Sequence, residues 1–214
     1  MFRAIVCCEE SQAVCIEFRR LGIECYSNDL KPCTGGFPLW HIQGDAFWAI
    51  KQMHFHLMIA HPPCTHIAVS GAKHFREKIR DGRFKDGMKL FMKFTQTYIK
   101  HTCLENPVGV MSDVYQKPTQ IIQPFYFGDN AQKTTCLWLK NLPPLFHQKE
   151  PDLFSQNVTH VDKGEFLEYG GKKIPKWYAE IPSDKNRGTM RSKTFKGIAM
   201  AMADQWTDYL QNKY

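Results

Sequence analysis

The stretch Leu57-Met58-Ile59-Ala60-His61-Pro62-Pro63-Cys64-Thr65 decides what kind of sheet this chain builds. A short apolar run bounded by turn residues reads as a buried strand. Neither Pro62 nor Pro63 carries an N–H, so the sheet ladder stops there and Cys64 is delivered to a stiff loop at the strand's carboxyl end. In open α/β sheets that edge is where ligands bind. A thiol held there is a candidate nucleophile; a buried structural cysteine behind a Pro-Pro turn is the competing reading.

Upstream, Ile5-Val6-Cys7-Cys8 reads as a first buried strand, followed by the acidic turn Glu9-Glu10-Ser11. Val14, Ile16, Phe18 and Leu21 lie among Glu17, Arg19 and Arg20, the pattern of a short amphipathic helix closed by Gly22. Residues 23–29 form a second strand. Strand and helix signals that alternate in this way predict a parallel sheet. Asp29 then stands at a strand end where nucleotide-binding folds place an acid against ribose hydroxyls; a capping or turn aspartate fits equally. A Pro- and Gly-rich loop over 31–41 leads to a brief strand with a second acid, Asp45, at its end. A helix over 46–53 precedes the strand that feeds Cys64.

Downstream, residues 66–86 are polar and read as flexible, carrying His74, Arg76, Lys78, Arg80, Arg83 and Lys85. They suit an active-site lid, a phosphate-contacting loop or a solvated charged face. Met88, Phe91, Met92, Thr95 and Ile99 have helical spacing and read as core packing. Thr102-Cys103-Leu104-Glu105 is a further strand, closed by the turn pair Asn106-Pro107. In a parallel sheet Glu105 shares the edge of Cys64, and a carboxyl group near a thiol suits proton transfer to a ring nitrogen; a surface glutamate before a turn fits the segment at least as well. Residues 121–128 and 134–139 are β-prone, and 141–178 are expected to be irregular. Trp177 and Tyr178 suit base stacking or the pinning of a loop. A basic loop over 184–191 precedes a last helix from Thr194, with Ile198, Met202, Trp206 and Leu210 along one face.

An apolar share of 43% over 214 residues supports one domain with a real core, and the net charge of +7 is compatible with a polyanionic partner. The eight cysteines include no C-x-x-C pair, and the nine histidines have no metal-ligand spacing, so no metal is expected. The first strand begins at once, leaving no room for a signal peptide, and no apolar run reaches membrane-spanning length. A reduced, soluble, intracellular protein is expected.

Taken together, these segments resemble the cytosine-5 DNA methyltransferases, in a compact, phage-type form. His61-Pro62-Pro63-Cys64 resembles that family's Pro-Cys nucleophile loop, and Glu105-Asn106-Pro107 its Glu-Asn-Val motif. Phe127-Gly128 followed by Gln132-Lys133 is similar to its Tyr-Gly…Gln-Arg segment. Arg191-Ser192-Lys193-Thr194 before a helix is similar to its C-terminal cofactor motif. The resemblance implies a Rossmann-like class I S-adenosylmethionine-dependent fold, with a mainly parallel sheet and an irregular C-terminal insertion. It implies a single domain over 1–214, in which 143–190 is a reduced target-recognition insertion. Cys64 and Glu105 would be catalytic. Cys8, Glu9, Glu10, Asp29, Asp45, Pro62, Ser192 and Thr194 would meet S-adenosylmethionine. Asn106, Gln132, Lys133, Arg76, Arg83, Lys185, Arg187 and Arg191 would meet DNA, in the cytoplasm of a bacterial host. Three departures stand out: Cys8-Glu9-Glu10-Ser11 replaces a Gly-rich turn, Cys136 replaces an arginine, and Asn-Pro replaces Asn-Val. Rival readings are an enzyme on the same scaffold acting on a free pyrimidine nucleotide, a non-catalytic nucleotide-binding protein directed against a host defence, and, more distantly, a zinc-binding structural module.

Overall fold

The computed structural model describes residues 2–151, 157–183 and 187–213. Seven strands form one sheet: β1 (Arg3–Cys7), β2 (Glu24–Asp29), β3 (His41–Gln43), β4 (Leu57–Ala60), β5 (His101–Pro107), β6 (Gln120–Ile122) and β7 (Thr135–Lys140). Their spatial order is β3-β2-β1-β4-β5-β7-β6. The pairs β3–β2, β2–β1, β1–β4 and β4–β5 are parallel, and β7 runs antiparallel to both β5 and β6. This is the Rossmann-like methyltransferase fold of class I, with its reversed seventh strand inserted beside the fifth.

The strand sequences explain why the sheet is covered on both sides. Ala4, Val6, Leu57 and Ile59 point into one apolar layer, and Ile5, Cys7, Met58 and Ala60 into the other. Alternate residues leave a strand on opposite faces, so a run that is apolar at every position has two faces to bury. The first layer packs against helices α1 (Ala13–Arg20) and α8 (Lys196–Gln211), the latter burying Ile198, Met202, Trp206 and Leu210. The second packs against α2 (Ala46–Ala49) and α4 (Arg83–Thr95) through Ala46, Ala49, Phe91 and Phe94.

Several segments differ from expectation. The lid region is not flexible coil: a 3-10 turn over Val69–His74 runs into α3 (Phe75–Arg80). The expected helix over 46–53 is a single turn, and the one expected from the spacing of Met88, Phe91, Met92, Thr95 and Ile99 runs from Arg83 to Thr95, leaving Ile99 beyond its end. A one-turn helix α5 (Met111–Val114) follows β5. The β-prone run 121–128 is strand only to Ile122 and then turns as a 3-10 helix, because Pro124 cannot donate to a ladder. The region expected to be irregular holds a hairpin, β8 (Phe166–Tyr169) and β9 (Lys172–Pro175), turning through Gly170 and Gly171 at positive φ. It is followed by α6 (Lys176–Ala179) and α7 (Arg187–Ser192). Among the described residues no helix is long and apolar enough to cross a membrane.

Candidate active site

Strands β1 and β4 are neighbours, and the connections leaving them run to opposite halves of the sheet. This topology makes their carboxyl ends the switch point at which open α/β sheets form a ligand crevice. The loop after β1 and the loop after β4 form its walls.

On the first wall the expected Gly-rich turn is built without glycine. Cys8 and Gln12 both adopt left-handed backbone, at φ 60° each. That conformation costs a non-glycine residue on the order of 1–3 kcal/mol and persists only where the surroundings enforce it. Gln12 is fully buried, and its side chain explains the enforcement: Nε2 donates to Ser27 Oγ (3.1 Å) and Phe37 O (2.9 Å), and Oε1 accepts from Phe37 N (3.0 Å). The missing glycine appears instead across the gap. A Cβ on Gly35 would lie 2.6 Å from Ser11 O and 2.7 Å from Gln12 Cβ, so only glycine lets the 31–41 loop close on the turn.

The strand-end acids gather around the same turn. Burial pushes the Cys8 thiol up to about 12, with added repulsion from Asp29 and Asp45, which places both carboxylates within electrostatic reach of Cys8. Asp29 Oδ1 accepts from Lys31 N (3.0 Å), and Asp45 Oδ1 caps α2 at Trp48 N (2.9 Å). The second oxygen of each carboxylate takes no part in these bonds. Glu10 pairs with Lys31 at 3.5 Å. Glu9 is turned inward at 4% exposure, its two oxygens accepting from Val14 N (2.6 Å) and Cys15 N (3.3 Å) at the start of α1. Burial raises its carboxyl to about 7, against the opposing influence of His61 and those two bonds.

The second wall carries Cys64, which is partly exposed on the loop after β4. Three contacts hold this loop. His61 N donates to Cys7 O (3.0 Å), extending the β1 pairing by one bond. Asn106 Nδ2 donates to Pro62 O (2.7 Å) and Glu105 O (2.9 Å), tying the Pro-Pro turn to the end of β5. Lys78, only 7% exposed, reaches in from α3 to donate to Thr65 O (2.6 Å). Burial and the charge of Glu105 raise the Cys64 thiol above its ordinary value, although Lys133, its own backbone N–H and Lys78 pull the other way. The thiol is therefore protonated at neutral pH and needs a base or added positive charge to react.

Glu105 sits one register step beyond the Ala60–Leu104 pair, beside His61. His61 Nδ1 and Glu105 Oε2 are 2.8 Å apart. Burial raises the Glu105 carboxyl, but the hydrogen bond and charge of His61, with Lys133, outweigh it and hold the group below its ordinary value. Burial lowers His61, yet Glu105 and Glu9 outweigh burial and raise it. The two side chains are hydrogen-bonded and nearly buried, and both shifts run in the direction that favours a charged pair. In the sequence His61 is one residue of the loop motif with no role of its own; its place directly after a fully apolar strand is the available signal.

The third side of the site comes from the C-terminal third of the chain. Lys133 Nζ donates to Lys193 O (3.0 Å) and Ser192 O (3.4 Å), docking the end of α7 near Glu105. A small cavity between them is lined by Glu105, Lys133, Thr135, Thr194, Phe195 and Ile198. Thr194 therefore lies on the Glu105 side of the site. Gln132 O accepts from Trp177 Nε1 (3.0 Å), and Trp177 meets Phe195 edge-on, so this tryptophan pins a loop here. Cys136 is buried in the apolar layer facing α4 and is not placed to touch a ligand.

Among the expected phosphate contacts, Arg191 stacks on Tyr178 (3.6 Å) and Arg187 Nη1 donates to Ser183 Oγ (3.0 Å), both on α7. Arg76 is exposed on α3, and Arg83 is engaged by Asp81 and Glu77. Lys185 lies outside the described residues. Among those described, no group of three or more His, Cys, Asp or Glu side chains is placed to hold a metal ion.

No protein-family model matches the chain, and no curated protein does. Among solved structures it is similar to a protein from E. coli described as a "putative DNA modification methyltransferase encoded within prophage". The likeness has 14% identity and a TM-score of 0.45, and covers 76% of this chain and 53% of that one, so the chain matches about half of that protein's length.

Proposed function

We propose that this protein is a DNA cytosine-5 methyltransferase-like enzyme that uses Cys64 as its nucleophile. The observation that carries the reading is the joint between the two motifs: Asn106 bonds Pro62 O, so Cys64 and Glu105 are held as one unit at the crevice edge. S-adenosylmethionine suits the first wall, where Cys8, Asp29 and Asp45 lie near one another and each carboxylate would offer an oxygen to ribose hydroxyls or an amine, with Pro62 meeting it from the loop after β4. Glu9 is committed to α1 and supports this wall from behind. When bound, S-adenosylmethionine supplies an electrophilic methyl group.

Cytosine C5 is a poor nucleophile until C6 is attacked. The Cys64 sulfur adds to C6, and the electron pair of the C5–C6 double bond moves toward the ring nitrogen. Glu105 holds that nitrogen and passes it a proton as charge develops. Lys133 and Lys78 bring positive charge to the thiol, which is needed because burial works against its ionisation. Once C5 has been substituted, it loses its proton and the sulfur–carbon bond breaks. A base in duplex DNA must first be flipped from the stack, and Arg187 and Arg191 on α7 would take the flanking phosphates.

Mass spectrometry of the protein mixed with S-adenosylmethionine and 5-fluorocytosine DNA tests this reading, since fluorine at C5 blocks the last proton loss. A covalent adduct with the wild type, absent with Cys64→Ala, is the expected result. An adduct with a free fluorinated nucleotide but not with DNA would assign the enzyme to nucleotides. Ligand binding without any adduct would make the protein a non-catalytic receptor.

A further inference from the structure

We propose that His61 is the positioning residue of the site: it clamps the Glu105 carboxylate toward the substrate ring and stores the proton that Glu105 passes to it. This rests on the reading of Glu105 as the group that meets the ring.

The geometry is a line of three side chains from three neighbouring strands. Glu9 follows β1, His61 follows β4 and Glu105 lies inside β5, which runs on through the expected turn pair to Pro107; the registers Cys7–Ala60 and Ala60–Leu104 bring the three positions close to level. His61 and Glu105 meet at 2.8 Å with side-chain exposures of 12% and 11%, so solvent competes little for either partner. A carboxylate buried this far with one strong partner has its orientation set by that partner. The other ring nitrogen, Nε2, is buried and bonds to no described residue, so Glu105 is the ring's one fixed anchor. The groups facing the imidazole are Glu105 from β5, Glu9 from the loop after β1 and Lys133 from the segment before β7. Two acids against one cation favour the imidazolium.

The proton inventory balances. As the Cys64 sulfur adds to C6 its thiol proton leaves to solvent, and one proton passes from His61 Nδ1 through the Glu105 carboxylate to the ring nitrogen. After substitution the C5 proton leaves to solvent; as the sulfur–carbon bond breaks, the ring nitrogen returns its proton through Glu105 to His61, and the released thiolate takes one from solvent. Glu9, on the cofactor wall, senses the same event, because the loss of the His61 charge removes a group that opposes its protonation. The line therefore links the two walls of the crevice.

Two measurements on the full chain test the assignment. Side-chain 15N NMR, with the His61 signal assigned from His61→Asn, reads the imidazole directly. A midpoint above 6.5 that falls by about tenfold in proton affinity in Glu105→Gln is expected. A His61 that titrates at or below 6.5 and ignores Glu105→Gln overturns the proposal. The rate of 5-fluorocytosine adduct formation is then followed from pH 5.5 to 9 for the wild type and His61→Gln, whose amide can hold Glu105 but cannot carry the proton. With DNA affinity unchanged, the variant should slow on the order of 100-fold and lose the pH limb set by His61. Equal rates and profiles overturn the proposal even if the titration agrees. If the wild type forms no adduct, the cytosine reading has failed, and the titration alone decides the His61–Glu105 pair. Thermal unfolding of both variants separates loss of fold from loss of chemistry.

Discussion

Glu9 shows how one residue can serve a fold at a pH-dependent cost. Its carboxylate satisfies two N–H groups at the start of α1, yet burial raises it from its ordinary 4.5 to about 7. The folded state therefore binds this proton more tightly than the unfolded chain. The stabilisation is fully present below about pH 4.5 and is lost as pH rises through 7, with a ceiling of roughly 3 kcal/mol. Glu9→Gln cannot titrate and offers one oxygen where there were two. Urea unfolding should find the variant less stable than wild type at pH 5, with the gap narrowing or reversing by pH 8. A constant gap would show that Glu9 is charged throughout. His61 and Lys78 make a related point about legibility. Each was visible as a polar residue in a candidate loop, but its partner, Glu105 or Thr65 O, is 44 or 13 residues away. Only the folded chain reveals that a lysine in a charged run is a buried strut.

At the scale of elements, α8 is seated by a close approach that overrides helix propensity. Gly197 lies in its first turn, where alanine is ordinarily the better helix former by about 1 kcal/mol. A Cβ there would overlap the Phe127 carbonyl and come within 2.8 Å of Asp129 Oδ2, the atom that accepts from Gly197 N. Gly197→Ala is therefore expected to destabilise by about 1–3 kcal/mol in urea unfolding; a gain in stability would show that the contact relaxes freely. Phe195 and Ile198 on this seat line the cavity with Glu105, so the variant should also slow adduct formation. Strands and the long helices were legible because apolar periodicity is local. The α3 segment was not, because its buried residue is Lys78, held by a hydrogen bond, while of its two apolar side chains Phe75 is half-buried and Ile79 is 60% exposed.

For the whole molecule, the charge of +7 and the basic side chains of α7 make the DNA reading sensitive to salt. A protein neutralising about four phosphates should lose roughly 100-fold in affinity between 50 and 200 mM salt. Fluorescence anisotropy with a 20-base-pair duplex measures this, and Arg191→Ala should reduce the slope by about 1. A salt-independent affinity would remove phosphate contact from the account and favour a nucleotide ligand.

Strand runs, their alternation with helices and the Pro-Pro stop before Cys64 determined by themselves that a mostly parallel α/β sheet would present Cys64 and Glu105 at one edge. Those features depend on the spacing of apolar residues and on an imino acid's missing N–H, which neighbours in sequence settle. Only the tertiary structure decided that Cys8 and Gln12 take the backbone conformation of a glycine turn, that Asn106 locks the Pro62 carbonyl, and that His61 stands between Glu9 and Glu105. Each of these depends on side chains from different strands meeting in a low-dielectric interior, where one partner changes the charge and direction of the next.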